Sequence, residues 1–376
     1  MDFIDLKAQY QLLNPSLQKH ILDILDRAQF IMGKEITELE EKLSLYTGAS
    51  HCISCASGTD ALFLALLARG VGPGDAIFTT TFTFIATAEV ISLLGATPVF
   101  VDIDKKTYNI DPISLRHEIV RVNKGEKIAV GITNKIKPKG IIPVDLFGLC
   151  ADYDSIDAIA KEFGLFVLED AAQSFGAMYH GKKACALGDC AATSFFPAKP
   201  LGCYGDGGAV FCNDKAMKDI LVSLRIHGQG IDKYENVRIG INGRMDTIQA
   251  AVLLAKLEIF DSELEKRQRV AQRYSDALAV TCTVPTIPQG YSSAWAQYSI
   301  LHDHREAIIE KCKRKEIPTA IYYPKPLHLQ KAFAPLGYEK GQFPVAENIA
   351  GNILSLPMHP YLTKDNQEKI IETILD

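Results

Sequence analysis

Residues 166–176 read FVLEDAAQSFG, an apolar run that ends in two acidic residues and continues into small ones. The run has the length and composition of a buried strand, and Asp170 stands where that strand would end. Runs of the same kind alternate along the chain with stretches of helical spacing: strands at 52–54, 76–79, 97–101 and 140–144, helices at 60–68, 85–93 and 153–163. This alternation predicts βα units, and therefore an α/β fold with a mostly parallel sheet.

The flanking sequence extends this domain and adds a second one. Helical spacing predicts two opening helices, at 17–28 and 36–45, and a long helix or bent pair at 246–278. Further strands are predicted at 192–196 and 207–212. Toward the C-terminus we expect strand-like and helical pieces at 296–301, 306–315, 319–323 and 347–352, and a last helix near 364–375. We therefore predict a large domain over 1–260 and a smaller C-terminal α/β domain over 261–376.

Composition narrows the class of protein. The 376 residues are 47% hydrophobic and 23% charged, which is typical of a soluble globular chain long enough for two domains. The net charge of -5, without a Lys/Arg block, argues against nucleic acid as a partner. Apolar runs too short to cross a bilayer, and an N-terminus without a signal peptide, predict a cytoplasmic protein with no membrane partner.

Nine cysteines lie scattered in apolar contexts, which favours reduced thiols over a disulfide framework. Cys52 and Cys55 form a C-x-x-C pair, but no second pair or histidine cluster stands at ligand spacing. We expect two packed thiols there and no metal site.

Residues 122–139 are less regular, with NKGEK and NKIKPKG around the apolar run 128–132. A surface hairpin is the prediction, and a basic flap over a nucleotide is the functional alternative.

Two residues near the ends of predicted strands could take part in chemistry. Asp170 would point into the crevice at the carboxyl edge of the sheet, where a carboxylate can pair with a cationic ring nitrogen. A cap on the next helix is the alternative. Lys199 lies between an apolar strand and a Gly-rich turn, in SFFPAKPLGCYGDGG at 194–208. Partial desolvation there would make its amine nucleophilic toward an aldehyde, although an isolated lysine is more often a surface residue.

Other segments suit a phosphate and a flat ring. ASGTDAL at 56–62 follows a strand and opens a helix, so its amides and Thr59 form an anion site or an ordinary cap. Ser194 and the turn at 202–208 add a hydroxyl and closely approaching backbone. TFTFIAT at 81–87 supplies aromatic residues for stacking or for the core. Together these groups suit pyridoxal 5'-phosphate (PLP).

The same residues closely resemble the sugar aminotransferases of the DegT/StrS family, over nearly the full length. The matching segments are FIDLKAQY, FIMGKEITELEEKL, ASGTDALFLAL, GPGDAIFTTTFTFIATAEVISLLGATPVFVDID, LEDAAQSFGA, TSFFPAKPLGCYGDGGAV, LRIHGQ, NGRMDTIQAAVLLAKLE, YYPKPLHLQKAF and LSLPMHPYL. The resemblance implies fold type I of the PLP-dependent transferases, which is aspartate-aminotransferase-like.

The resemblance also implies residue roles. Lys199 would form the Schiff base and carry the proton, and Asp170 would pair with the pyridine nitrogen. Gln173 would contact the ring hydroxyl, and Phe84 and Ala172 would sandwich the ring. The phosphate would be held by Gly58, Thr59 and Ser194, with Asn242 of the other subunit of a homodimer, while Arg244 would bind a substrate carboxylate.

Glutamate would be the amino donor, leaving 2-oxoglutarate and pyridoxamine 5'-phosphate, and a UDP- or dTDP-linked keto sugar the acceptor. Lys199 stands where dehydrase relatives carry histidine, which favours transamination. The run AKPLGCYGDGGA and the ending MHPYL most resemble enzymes that aminate C3 of UDP-2-acetamido-2-deoxy-3-oxo-glucuronate for bacterial surface polysaccharide such as O-antigen lipopolysaccharide. Two features depart from the family: Tyr322 replaces the histidine that usually precedes Tyr323, and 122–139 is longer than expected. Both tyrosines are candidate substrate-binding residues.

Two other classes stay open. One is a non-catalytic regulatory protein on the same fold, against which Lys199, Asp170 and Gln173 argue. The other is an aminotransferase for an amino acid or a cyclitol, because loops build the acceptor pocket.

Overall fold

The computed structural model describes residues 1–132, 135–232 and 234–376. In these ranges thirteen α-helices alternate with twelve strands, and no helix has the length and apolar character needed to cross a bilayer. The helices are α1 Leu6–Leu13, α2 Ser16–Arg27, α3 Lys34–Thr47, α4 Gly58–Ala68, α5 Ala86–Leu93, α6 Pro112–Asn123, α7 Tyr153–Phe163, α8 Lys215–Arg225, α9 Thr247–Leu257, α10 Phe260–Leu278, α11 Arg305–Arg314, α12 Pro344–Asn352 and α13 Lys364–Leu375. The strands are β1 His51–Cys55, β2 Asp75–Thr80, β3 Thr97–Val101, β4 Lys137–Ile142, β5 Phe166–Asp170, β6 Met178–Tyr179, β7 Lys182–Lys183, β8 Cys190–Ser194, β9 Gly208–Cys212, β10 Tyr291–Ser292, β11 Tyr298–Leu301 and β12 Ile353–Leu356.

A seven-stranded sheet in the order β1-β9-β8-β5-β4-β2-β3 organises the chain. Neighbouring strands in this sheet pair in parallel, except that β9 is antiparallel to both β1 and β8. Strands β1, β5 and β8 therefore run in one direction, and their carboxyl ends meet at the same edge. The mostly parallel α/β fold predicted from the sequence is confirmed.

Helices cover both faces of this sheet, as its buried strands require. On one face α3 and α9 pack with apolar residues of β1, β8 and β9. On the other, α4, α5 and α8 pack on the same strands. Cys52 belongs to the first face and Cys55 to the second, because residues three apart in a strand point to opposite sides. Both are buried free thiols, so this pair packs in two separate cores.

The C-terminal part has a core of its own. Buried apolar residues between Val270 and Ile374 form one cluster around β11 and β12, which pair as a separate two-stranded sheet. Both helices predicted at 246–278 are present as a bent pair, α9 and α10. The domain boundary near residue 260 stays a proposal, and this separate cluster supports it.

Several elements differ from the sequence prediction. Helix α1 precedes the two predicted opening helices, and Pro15 separates it from α2, because the residue before a proline disfavours helix. Helices α6 and α8 and strand β12 were also missed. The strand-like or helical piece predicted at 319–323 is wrong: the chain there forms neither element, and its ladder contact is a single bridge between Ala320 and Ser355.

The hairpin predicted at 122–139 is also wrong for the described residues. Helix α6 ends at Asn123, and β4 begins at Lys137 and pairs in parallel with β2 and β5. Between them Ile128 is buried, and the Gly131 N–H donates to the Leu336 carbonyl at 2.9 Å. The segment packs on the chain near residue 336, and this long-range contact competes with local pairing. Residues 133–134 lie outside the described residues.

Candidate active site

The residues predicted to react or to bind the cofactor cluster at the carboxyl ends of β1, β5 and β8. Asp170 is the last residue of β5 and lies opposite Ala192 of β8, two residues before Ser194. The chain leaving β1 turns through Ser57 into α4. The sheet therefore brings three sequence-distant segments to one edge, as expected for a ligand crevice in an open α/β sheet.

Asp170 is almost fully buried, with 4% of its surface exposed. Thr87 Oγ1 donates to its Oδ2 at 2.8 Å, and the Ala172 N–H donates to its Oδ1 at 3.2 Å. Burial raises the pKa of Asp170, while these two hydrogen bonds and the charge of Lys199 act in the opposite direction. The donors and the nearby ammonium favour the carboxylate form.

Lys199 lies in the loop between β8 and β9 and is half-buried. Its N–H donates to the Phe196 carbonyl at 2.9 Å, and the Cys203 N–H closes the loop on the Phe195 carbonyl at 2.8 Å. Burial lowers the pKa of the Lys199 ammonium, and Asp170 opposes this shift. The two groups are thus close enough to affect each other's charge, and desolvation favours the nucleophilic neutral amine.

A cradle for an anion forms where α4 begins. The Ser57 side chain caps the helix by accepting from the Asp60 N–H at 3.0 Å. The backbone here passes very close to its neighbours: a Cβ on Gly58 would lie 2.5 Å from Ser194 Cβ, and one on Gly208 would lie 2.3 Å from the Ser57 carbonyl oxygen. Glycine is required at both positions. The first-turn amides, with Thr59 beside them, therefore open next to the Ser194 hydroxyl, which suits a phosphate.

Gln173 links the strand-end acid to the C-terminal part of the chain. Its Oε1 accepts from the Phe147 N–H at 2.6 Å, and its Nε2 donates to Tyr323 Oη at 3.2 Å. Phe84, which is 56% exposed, lies with its ring 6.4 Å from that of Tyr323. An exposed phenylalanine beside Tyr323, which is bonded to Gln173, leaves apolar surface available to a flat ring.

Tyr322 is half-buried, and its ring meets Phe3 edge-on at 6.4 Å. Burial raises the pKa of its hydroxyl, which is therefore neutral and able to donate a hydrogen bond.

Asn242 and Arg244 occupy a different place in the chain. They line an open cleft with Ser57, Asp60 and Gly205, where the Ala56 N–H donates to the Gly243 carbonyl at 3.0 Å. Asn242 is exposed, and Arg244 is half-buried with its Nε lacking a hydrogen-bond partner among the described residues. No hydrogen bond or ion pair of the described residues joins either residue to Lys199 or Asp170, so their roles stay predictions.

The sequence prediction missed residues that hydrogen-bond to Asp170 and Gln173 and so fix their positions. Thr87 on α5 was noted only as part of an aromatic stretch. Phe147, whose backbone has a left-handed φ of 59°, turns its N–H toward Gln173. No local pattern marks either contact, because each joins distant segments.

A buried acid pair was missed as well. Asp145 accepts from Ser174 Oγ at 2.8 Å and Tyr153 Oη at 2.9 Å, and it lies close enough to Glu169 for each acid to affect the pKa of the other. Burial raises the pKa of both acids, that of Asp145 to about 6. Through the hydrogen bond from Ser174, Asp145 holds the segment that follows Asp170.

These residues fit PLP. A buried acid at a strand end, a half-buried lysine near enough to affect its pKa, a helix terminus that tolerates only glycine, and an exposed ring provide a partner for each part of that cofactor.

Comparisons with known proteins agree with this geometry. The model of the DegT/DnrJ/EryC1/StrS aminotransferase family matches residues 12–375. The UDP-2-acetamido-2-deoxy-3-oxo-D-glucuronate aminotransferase of Pseudomonas aeruginosa is 47% identical over 96% of both chains. A pleiotropic regulatory protein of Geobacillus stearothermophilus is 41% identical over 99% of this chain and 97% of its own. The crystal structure of a DegT DnrJ EryC1 StrS aminotransferase from Brucella abortus superposes with a TM-score of 0.96 at 50% identity, covering 100% of this chain and 98% of that one.

Proposed function

The chain belongs to the DegT/DnrJ/EryC1/StrS aminotransferase family, and from that premise we propose that it aminates C3 of UDP-2-acetamido-2-deoxy-3-oxo-glucuronate, with Lys199 as the residue that bonds PLP. As a member of the family it is a PLP-dependent aminotransferase acting on nucleotide-linked sugars. One observation carries the residue assignment: Lys199, whose pKa is lowered by burial, and the buried Asp170 lie near enough for each charge to affect the pKa of the other. The relative named for this uronate sugar, at 47% identity, supports the acceptor.

Lys199 has two tasks in this proposal. PLP, when bound, supplies an aldehyde that bonds to amines and a ring that withdraws electrons from the carbon beside them. Burial lowers the pKa of Lys199, so its amine would be available both as a nucleophile toward that aldehyde and as a base. As a base it would move a proton between the donor carbon and the aldehyde carbon of the cofactor.

Asp170 keeps the ring nitrogen protonated in this proposal. Thr87 and the Ala172 N–H stabilise its negative charge, because both donate hydrogen bonds to the carboxylate whether or not a cation lies beside it. Gln173 is fixed between the Phe147 N–H and Tyr323, so its amide is oriented before the ring hydroxyl arrives. Phe84 and Ala172 would flank the ring, while Gly58, Thr59 and Ser194 would hold the phosphate through the amides and hydroxyls of the α4 cradle.

The uronate carboxylate of the acceptor needs a cation and a hydrogen-bond donor. We assign these roles to Arg244, whose guanidinium retains an unpaired donor, and to the neutral hydroxyl of Tyr322. In this arrangement the hydroxyl of Tyr322 orients the uronate carboxylate through a hydrogen bond. Arg244 supplies the positive charge that the histidine usual in the family would otherwise add.

Because no hydrogen bond or ion pair of the described residues joins Asn242 or Arg244 to Lys199 of their own chain, the proposal includes a homodimer whose two sites are shared. Exposed apolar residues support an interface: Phe30, Ile31 and Met32 before α3, and Ile231 and Ile239 before Asn242. Glutamate as donor, a cytoplasmic location and a role in O-antigen lipopolysaccharide synthesis complete it.

A dTDP-linked keto-deoxysugar is the alternative acceptor, and a regulatory role is suggested by the printed name of the Geobacillus stearothermophilus relative. The lysine–acid pair favours catalysis over the second. In the decisive experiment, purified protein is incubated with PLP, glutamate and a panel of UDP- and dTDP-linked keto sugars, and 2-oxoglutarate release is followed. Turnover of the UDP-uronate alone supports the proposal. Turnover of a dTDP sugar reassigns the acceptor, and no release across the panel refutes the sugar-nucleotide function.

A further inference from the structure

Lys256 is a buried lysine that the proposed chemistry does not use. It lies on α9 with 1% of its surface exposed, and its Nζ donates to the Gly202 carbonyl oxygen at 2.6 Å. Gly202 follows Lys199 by three residues, in the same loop between β8 and β9. A buried ammonium bound to a backbone carbonyl is costly to desolvate, so its partners identify what it stabilises.

Those partners all belong to the Lys199 loop or to the adjoining helix. The Lys256 Nζ lies 4.1 Å from the centre of the Tyr204 ring. Burial lowers the pKa of Lys256 to about 8, while Glu263 on α10 and Cys203 in the loop act against this shift. The ammonium is thus compensated by a ring, a carbonyl and a carboxylate rather than by water.

A second contact from the same helix face holds the loop two residues further along. Gln249, seven residues before Lys256, accepts from the Tyr204 N–H at 2.9 Å and donates to the Tyr204 carbonyl at 3.4 Å. Residues seven apart lie on one face of a helix. Helix α9 therefore holds 202–204 through two side chains.

The loop transmits this anchoring to Lys199 because it is tightly folded. A Cβ on Gly202 would lie 2.5 Å from the Phe196 carbonyl oxygen and 2.6 Å from that of Pro197. The Lys199 N–H is bonded to the same Phe196 carbonyl. A shift of Gly202 must therefore displace the turn that carries Lys199.

We propose that Lys256 is a positioning residue for Lys199, holding the Gly202 carbonyl so that the Lys199 amine stays aimed at the cofactor. The inference rests on the proposed role of Lys199. Lys256 touches neither cofactor nor substrate; it fixes the backbone from which the reacting amine extends. Loss of this anchor leaves a buried carbonyl unpaired and loosens the loop.

The test compares Lys256→Met with Lys256→Arg and with the control Lys183→Met. Lys183 also places its Nζ over a tyrosine ring, 3.2 Å from the centre of Tyr46, but it lies on β7. The first readout is hydrogen–deuterium exchange of the peptide 196–204 in cofactor-free protein. The second is the split between kcat and the KM for glutamate in the PLP-loaded enzyme.

In Lys256→Met we expect faster exchange of that peptide and a kcat lower by about 10- to 100-fold, with KM changed less than about twofold, because misplacement of a reacting group slows chemistry more than binding. Lys256→Arg should restore part of both, and Lys183→Met should match wild type. Wild-type exchange and kcat in Lys256→Met, or equal losses in Lys183→Met, would overturn the inference. If Lys256→Met does not fold, Lys256→Arg decides: raised exchange with wild-type kcat is equally fatal. Lys199→Ala separates this result from the parent proposal, because retained visible absorbance of bound PLP in that variant would refute the role of Lys199 itself.

Discussion

Thr87 donates a 2.8 Å hydrogen bond to Asp170 across 83 positions of sequence, joining α5 to the end of β5. Both side chains are buried, so water does not replace this contact when it is lost. The hydroxyl lowers the pKa of an acid that burial alone raises. Thr87 thus helps to keep Asp170 ionised for its cationic partner.

Replacing Thr87 tests that role. Thr87→Val keeps the shape but removes the donor, and a hydrogen bond to a charged group contributes about 1.5–3 kcal/mol. We expect PLP affinity to fall by roughly 10-fold or more, measured by titrating cofactor-free protein. Thr87→Ser keeps the hydroxyl and should bind PLP nearly as wild type does. Equal losses in both variants would assign the effect to packing of the methyl group.

Lys199→Ala should abolish turnover and the visible absorbance of bound PLP, because it removes the amine whose charge lowers the pKa of Asp170. The absorption spectrum of the PLP-loaded protein and 2-oxoglutarate release are the measurements. Lys161→Ala, at an exposed position of α7, is the matched control and should keep both signals. An unchanged spectrum in Lys199→Ala would reassign the lysine.

The sequence predicted the parts of the site that depend on local pattern. Asp170 was found because an apolar run of strand length ends there, and Lys199 because a strand and a Gly-rich turn enclose it. The contacts from Thr87, Phe147 and Lys256 were not predictable, because each joins elements that become neighbours only through the strand order. A polar residue at such a position looks like any exposed one until the fold buries it.

The same limit explains the errors in the fold. The segment around Ile128 was predicted as a hairpin from its turn residues, but its partner is the chain near Leu336, more than 200 residues away. The prediction of a regular element at 319–323 failed because the chain there makes one bridge and then turns toward the site at Tyr323. Where a tertiary contact replaced a local ladder, periodicity gave the wrong element.

Gly58→Ala should damage the phosphate cradle. The added Cβ would lie 2.5 Å from Ser194 Cβ, so α4 and β8 must move apart. Overpacking of this kind costs about 1–3 kcal/mol and opens the site where the phosphate binds. We expect PLP affinity to fall by roughly 10-fold or more together with the unfolding midpoint in urea. Gly72→Ala is the control, because its nearest neighbour would be 3.9 Å away. Wild-type PLP affinity in Gly58→Ala would remove this helix terminus from the cofactor site.

The buried acid pair predicts how stability depends on pH. Burial raises the pKa of Asp145 from 3.8 to about 6, and that of Glu169 moves in the same direction. The folded state therefore binds more protons than the unfolded state in this window, and the stabilising contribution of Asp145 is present below about pH 4 and lost as pH rises through about 6. Asp145→Asn removes this titration.

From about pH 4.5 to about pH 7, roughly the limits of that window, the unfolding free energy of wild type minus that of Asp145→Asn should fall by on the order of 1–3 kcal/mol. Urea unfolding of the cofactor-free protein gives this difference. The exposed Asp219→Asn is the control and should show a nearly constant difference from wild type. A difference that rises with pH would mean that Asp145 is stabilised as a carboxylate.

Shared active sites make a prediction about mixed dimers. Lys199→Ala removes the proposed reacting amine, and Asn242→Ala removes a group that the proposal assigns to the site of the partner. Each variant alone should be nearly inactive, because each of its homodimers carries the same defect twice. In a hybrid dimer both defects fall in one site when Lys199 and Asn242 come from different chains, and the other site is intact. Co-expressed in equal amounts, the two variants should form hybrids as about half of all dimers, and total activity should reach about one quarter of wild type. If Asn242 acts within its own chain, the hybrid has one site damaged by each change and activity stays near the level of the single variants. Carrying both substitutions on one chain and pairing it with wild type supplies the control, because under sharing that hybrid has one defect in each site and should be inactive.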